Sequence, residues 1–445
     1  MNPLVLDILG QQERINLLYT LLTLCFELPS SAAPVDISTC LQSGLNSLAV
    51  NFPWLSGKVN QRDGVFMIDD FQETIPLILK DLSHDQDCPD WQQQQRAGFP
   101  FRMLHETVVA GCKTLAASTF PASGLPVFVV QANLLANGLL LTFAAQHGSM
   151  DMTGLGQVMS LLSAACRGER FTDSEISVGN MKRQDILPVL DESLAAQEDD
   201  SAMDRDRLAT SDQRTPVDQH CLPADLVWAY FSFSAPSLRS LKGEANRTMP
   251  EGKFVSTDDV LSSFVWQRII RVRLLRLNEP SVLYSTLSRN VDMRRQFSVP
   301  DKYPGFLNHA TEHTFPLDCL VNRSLGQISA ELRAALEPTA LRRRFNMETT
   351  RIRCKQPQQK AYSNPELDIR LSSWAKERSY GLDFGFGLPV AVRRPAFTDG
   401  AREGLAYLMP KRLDGEIAVA VCLRSDDLLR LRTDVEFSRY STYIG

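Results

Sequence analysis

One of six histidines in the 445-residue chain, His147, stands in the segment A-A-Q-H-G-S-M-D-M-T-G, with Asp151 four positions later. An imidazole titrates near neutral pH, so it takes a proton from a hydroxyl and returns it later in a cycle. A carboxylate four residues on orients such a loop by pairing with an arginine. The spacing alone is weak: six histidines in a chain of average aspartate content give one H-x-x-x-D by chance in roughly a quarter of proteins. A satisfied histidine beside an aspartate helix cap produces the same pattern. A second acid, Asp383, lies far downstream in G-L-D-F-G-F-G, Gly381 to Gly387. Gly381, Gly385 and Gly387 permit positive φ and close backbone approach around it. A kinase reading of D-F-G fails, because no H-R-D loop and no phosphate-binding glycine loop precede it.

Other reactive residue types have simpler readings. His309 and His313 fall in N-H-A-T-E-H-T-F, an extended segment, where four residues of strand separate side chains by about 13 Å, too far for a shared metal. Cys112 in A-G-C-K-T has no partner base near it in sequence and reads as an idle thiol. Nine cysteines without a C-x-x-C pair suit neither a zinc site nor a disulfide scaffold, and are expected to be reduced. Arg342 to Arg344 follow a helical stretch and read as a solvated face or a complement to a helix C-terminus.

These residues need elements to hold them. The length favours two domains, and 44% apolar with 22% charged residues indicates a folded globular protein. A net charge of −5 argues against nucleic acid or an anionic membrane as partner, so a phosphate-bearing ligand needs a local basic patch. The apolar run Ile15 to Leu28 is about 14 residues, carries Asn16, Thr20 and Thr23, and follows Asp7 and Glu13 rather than a basic leader. It reads as a buried strand of a cytoplasmic protein, in which the sequons at Asn246 and Asn322 have no meaning. The spacing predicts a strand over Asn16 to Leu28, a helix over Ile37 to Asn51 and a strand over Asn137 to Ala145. A helix patterned on Leu155, Val158, Met159 and Leu162 follows Asp151. Residues 182–216 are charged and apolar-poor, as expected of an exposed connector between an N-terminal domain at 1–181 and a C-terminal domain at 217–445. The second half restarts with a strand at Trp228 to Phe233 and a helix capped by S-T-D-D at Ser256 to Asp259, running to about Leu277. Strands at Gly404 to Met409 and Ile417 to Leu423 flank the turn Asp414-Gly415, and Ser425 opens the last helix. The fold class is α/β, with a mixed sheet in each half and the site in the crevice between halves.

H-x-x-x-D followed far downstream by D-F-G-x-G resembles the BAHD acyltransferases, and the likeness is greatest to fungal enzymes of the trichothecene 3-O-acetyltransferase type. L-D-I-L-G-Q-Q at Leu6 to Gln12, F-P-W-L-S-G-K-V at Phe52 to Val59, N-V-D-M-R-R at Asn290 to Arg295 and Y-P-G at Tyr303 to Gly305 carry it. E-G-L-A-Y-L-M-P-K through D-G-E-I-A-V-A-V carries it too. The resemblance implies two chloramphenicol-acetyltransferase-like domains, each a mixed sheet flanked by helices, with a channel between them. CoA enters that channel from one face and a small-molecule alcohol from the other. It also implies a C-terminal strand returning to the first domain, a monomer, no metal, no tightly bound cofactor, and acyl-CoA, acetyl-CoA above all, as co-substrate. By the same resemblance His147 is the catalytic base, while Asp151 is structural and turned toward an arginine, for which Arg294 is the candidate. Asp383, with Gly385 and Gly387, is structural as well. Phe386 stands where the family usually has Trp, which removes an indole N–H that would help stabilise an oxyanion. Lys253, Ser256 and Thr257 fit the basic and hydroxyl groups at a helix N-terminus that hold CoA phosphates, and equally a plain helix cap. The acceptor class that follows is a terpenoid or polyketide alcohol. A condensation-domain relative is disfavoured by Gln146 and Met152, which replace its first His and its Gly. A CoA-independent cyclase or isomerase using His147, and a non-catalytic small-molecule binder, are the alternatives.

Overall fold

The computed structural model describes residues 2–29, 34–83, 85, 88–187, 225–277, 282–355 and 364–445. A five-stranded sheet organises the first half, in the order Ala391–Arg393, Tyr19–Glu27, Gly138–Gln146, Phe128–Leu135, Leu77–Asp81. Its pairings are antiparallel except for the last. The two central strands are mostly apolar, rich in leucine and alanine, as suits strands buried on both faces. Leu22, Leu24, Leu139, Leu141 and Phe143 face the helices Pro34–Asn51 and Met152–Cys166. These helices answer with Leu41, Leu45 and Leu48 and with Leu155, Val158, Met159 and Leu162. Alternate residues, Cys25 and Leu140, turn to the other face and meet Trp91, Leu104 and Val109.

The second half is a seven-stranded mixed sheet, ordered Asn308–Pro316, Tyr284–Asp292, Ile369–Ser373, Leu405–Leu408, Ile417–Arg424, Leu226–Phe233, Thr442–Tyr443. One face packs on the helices Ala235–Thr248, Thr257–Arg273, Leu325–Ala334 and Ser425–Thr433. The other face contributes Trp228, Tyr230, Ala418, Ala420 and Cys422 to the core of the first half, so the two halves share a continuous apolar seam. Ala391–Arg393 is the strand of the second half that returns to edge the first sheet, with Val392 opposite Leu24.

Several elements differ from expectation. The first strand starts at Tyr19, because Glu13–Asn16 forms a helical turn whose Asn16 side chain bonds the carbonyls of Gly10 and Gln12. A small four-stranded antiparallel sheet, Leu4–Val5, Val65–Asp69, Lys58–Arg62 and Leu125–Pro126, was not foreseen, its strands being short and separated in sequence. The helix after Ser256 ends at Arg273, in a turn that brings Arg276 to Glu403 and Asp427. Ser425 begins a helix, but Val435–Tyr440 follows it as the last. The connector lies outside the described residues from 188 onward. At its described start Lys182, Gln184 and Asp185 are exposed, while Arg183 is buried over the Trp54 ring at 4.4 Å.

Candidate active site

His147 directly follows the strand Gly138–Gln146, at the end where that strand pairs with Tyr19. Its backbone N–H donates to the Leu18 carbonyl at 2.8 Å. The loop then turns back at once: Gln146 Oε1 accepts from the Ser149 N–H at 2.8 Å, and Gln146 Nε2 donates to the Asn16 carbonyl at 3.0 Å. Gly148 is dictated by this crowding, since a Cβ there would stand 2.0 Å from Asn16 Oδ1. The position before the histidine is therefore a buried structural amide, not a second base.

The imidazole Nδ1 lies 3.1 Å from Thr20 Oγ1, and the edge of the ring meets Phe306 at 5.2 Å between centroids. Burial pushes the His147 pKa down to about 4. The charge on Asp151 and a hydrogen bond to the Met150 backbone oppose that fall, and the Arg394 guanidinium adds to it. The ring is thus neutral over the physiological range, as a proton acceptor must be.

The Asp151 carboxylate is fully engaged. It caps the helix Met152–Cys166 by accepting the Gly154 N–H at 2.9 Å. Arg294 grips it with both terminal nitrogens at 2.9 Å, and the Leu307 N–H adds a fourth bond at 2.8 Å. Arg294 is satisfied further by the carbonyls of Tyr303 (2.9 Å) and Gly305 (2.7 Å) and by Asp292 (2.9 Å). The Asp151 carboxylate therefore fastens the His147 loop to segment 292–307 of the other half. Two segments far apart in sequence complete the seam: Tyr303 Oη donates to Asp7 Oδ1, and the Phe306 N–H donates to Asp7 Oδ2 at 2.9 Å.

The D-F-G-F-G loop is elsewhere. Asp383 Oδ1 accepts the N–H groups of Gly385 (2.8 Å) and Gly387 (3.0 Å), whose φ values of +98° and +95° suit glycine. Its carbonyl accepts from Ser163 at 2.6 Å and from Arg167, near the C-terminal end of the helix that Asp151 caps. Fifteen helical residues place that end about 20 Å from the Asp151 end. Phe386 packs edge-on against Phe26 at 5.0 Å, so the residue at this position is remote from His147.

Lys253 is exposed and Thr257 half-buried. Ser256 caps the helix Thr257–Arg273, and its hydroxyl and N–H are both committed to Asp259. Asp259 is in turn held by Arg289 and Arg333 at 2.8 Å. His309 and His313 lie on the strand Asn308–Pro316; His309 bonds Glu348 at 2.5 Å, and among the described residues no cluster of metal-ligating side chains forms. Burial pushes the Cys112 thiol up to about 11, which leaves it unreactive.

Sequence reasoning missed Thr20, Asp7, Tyr303, Glu377 and Arg394. Glu377 faces the first turns of the Asp151 helix, where a Cβ on Gly156 would come within 2.0 Å of its Oε2. Burial first, then the charges of Asp151 and Asp292, push its pKa up to about 7, with Arg294 and the Thr153 hydroxyl opposing. Asp7 and Tyr303 were within reach, since both sit in the segments that carry the family resemblance; the others have no motif around them.

Residues 18–166 match the trichothecene 3-O-acetyltransferase-like N-terminal domain, and residues 109–438 match the transferase family. The chain is 40% identical to the O-acetyltransferase dmxR13 of Cryptosporiopsis sp. (strain 8999), over 99% of this chain and 97% of that protein. It is 38% identical to the trichothecene 3-O-acetyltransferase TRI101 of Fusarium sporotrichioides, over 99% and 97%. The crystal structure of F. graminearum TRI101 complexed with coenzyme A and deoxynivalenol superposes with a TM-score of 0.90, at 33% identity and complete coverage of both chains. The chain belongs to the transferase family of BAHD-type acyltransferases.

Proposed function

We propose that this protein is a CoA-dependent O-acetyltransferase of fungal secondary metabolism, acting in the cytoplasm on a hydroxyl of a terpenoid or polyketide. The observation that carries the reading is the neutral His147, held through Nδ1 by Thr20 beside the interdomain seam. With Nδ1 engaged, Nε2 takes the proton of the acceptor hydroxyl as its oxygen attacks the acetyl-CoA thioester carbonyl. The tetrahedral intermediate collapses, the C–S bond breaks, and the imidazolium returns its proton to the departing CoA thiolate. No acyl-enzyme forms. Asp151, Arg294, Asp383, Gly385 and Gly387 hold the scaffold and take no part in proton transfer. Lys253 and Thr257 meet the phosphates of CoA, with Ser256 contributing through the helix cap. Structures of relatives hold coenzyme A together with T-2 or deoxynivalenol, which supports a bulky alcohol as acceptor.

The test is CoA thiol release from acetyl-CoA with pooled fungal alcohols. His147→Ala is expected to lose about 3 to 5 kcal/mol of transition-state stabilisation while keeping the wild-type melting temperature. Near-full turnover in that variant overturns the mechanism.

A further inference from the structure

A buried guanidinium with no counter-ion among the described residues stands beside the site. Arg394 is 4% exposed and follows the strand Ala391–Arg393, so the register sets it next to Leu22 of the strand Tyr19–Glu27. Side chains alternate along these strands. Arg393 turns to the outer face, where it bonds the Gly98 carbonyl at 3.0 Å and the Phe99 carbonyl at 3.3 Å. Arg394 turns to the face of Thr20, the residue that holds His147. Its Nη2 reaches Thr114 Oγ1 at 3.3 Å. The Thr114 carbonyl in turn accepts the Tyr19 N–H at 2.9 Å, one residue from the Leu18 carbonyl that accepts the His147 N–H. Guanidinium and imidazole are thus tied, from opposite edges, to the start of the strand Tyr19–Glu27.

That single bond is the only hydrogen bond this side chain makes among the described residues. Its Nε is buried without a partner. The buried acid nearest along this chain of contacts, Glu106, spends its Oε2 on the Thr114 N–H at 2.7 Å. Phe397 at 4.6 Å, Tyr407 at 4.7 Å and Trp374 at 5.7 Å surround the guanidinium carbon. Rings stabilise a cation over its faces and leave its in-plane N–H groups unsatisfied. An unpaired buried charge costs several kcal/mol, which a carbonyl or carboxylate oxygen arriving in that plane offsets.

We propose that Arg394 is the anchor for a second oxygen of the acceptor, so that the preferred acceptor is a ring-bearing alcohol carrying a carbonyl or carboxylate near the reacting hydroxyl. The proposal rests on the acetyltransferase reading above. Trp374 and Tyr407 belong to the second half and Arg394 to the strand that edges the first, so the anchor and its aromatic walls form only where the halves meet.

The test compares wild type, Arg394→Met and Arg394→Lys in the presence of CoA. Each is titrated calorimetrically with a hydroxyanthraquinone and with the hydroxyanthracene that lacks its ring carbonyls. Acceptor-free hydrolysis of acetyl-CoA is followed in parallel over pH. Wild type is expected to prefer the carbonyl-bearing ligand at least tenfold, and Arg394→Met to lose that preference while keeping CoA affinity. The acid limb of hydrolysis in Arg394→Met moves upward, because a positive neighbour of His147 is gone, whereas Arg394→Lys keeps it in place. No preference in wild type, binding of neither ligand, or equal weakening of both in the variant overturns the proposal. Lost hydrolysis with the preference intact also overturns it and places the guanidinium on the thioester oxygen. Failure of the acetyltransferase reading looks different: wild type then neither binds CoA nor hydrolyses its acetyl ester.

Discussion

Asp151→Asn separates a fastening role from a chemical one. The carboxylate accepts four hydrogen bonds, two from Arg294, one from Gly154 and one from Leu307, all at 2.8 to 2.9 Å. A carboxamide has the same shape but a single acceptor oxygen. Whichever way it is turned, its NH2 confronts two donors: the backbone N–H on that side is left buried and unpaired at about 1 to 3 kcal/mol, and the facing Arg294 N–H loses its acceptor as part of the charge loss that follows. The Arg294 charge also loses its buried partner and keeps only the half-exposed Asp292, a loss of about 3 to 5 kcal/mol in buried pairs. Taking about 4 kcal/mol overall, and roughly 2 to 4 °C per kcal/mol for a domain of this size, thermal unfolding followed by circular dichroism should shift down by about 10 °C. Turnover of the remaining folded enzyme, measured by thiol release at 20 °C, should stay within about tenfold of wild type. Asp151→Asn/Arg294→Met should cost less than the sum of its single variants, because no unpaired charge remains. A variant that melts within about 2 °C of wild type yet turns over a hundredfold more slowly refutes this reasoning and puts Asp151 in the chemistry.

Two further outcomes follow from burial of titratable groups. His147 is held neutral, so the acid limb of kcat/KM for thiol release should lie near pH 4; a limb centred at 6.5 would contradict the desolvated site. The same depressed pKa withdraws stability as pH falls from about 6.5 toward 4, where the unfolded chain binds the extra proton. Glu377 has the opposite sign: its raised pKa favours the protonated folded form, so stability is lost as pH rises from about 4.5 through 7. Glu377→Gln should therefore stabilise the protein by up to about 3 kcal/mol at pH 8 and hardly at pH 4.5, read from urea unfolding at both values; equal effects at the two would refute it.

Local patterns carried much of the architecture. The long strand before His147, the Ser256 cap and the helix after Asp151 were legible because each expresses a periodicity or a cap within a dozen residues. Arg294 was the candidate partner of Asp151 by the family likeness, and its two terminal nitrogens bond the two carboxylate oxygens. The four-stranded sheet was illegible because its strands are two to five residues long and draw on positions 4 to 126. Thr20 and Arg394 were invisible for a related reason. Their roles depend on strand register and on which face a side chain takes, and a one-residue slip would reverse both.

The short strand Ala391–Arg393 has a consequence for how the chain can be divided. It covers the outer edge of Tyr19–Glu27, nine residues of which eight are buried. Without it, a long, flat, apolar row of unpaired N–H and C=O groups would face solvent, the kind of edge that recruits strands from other chains. An excised N-terminal half would therefore self-associate rather than stay monomeric, and the ends of any viable split or permuted form must keep residues 391–393 with the half they edge. Two domains by architecture, the molecule is a single unit of solubility.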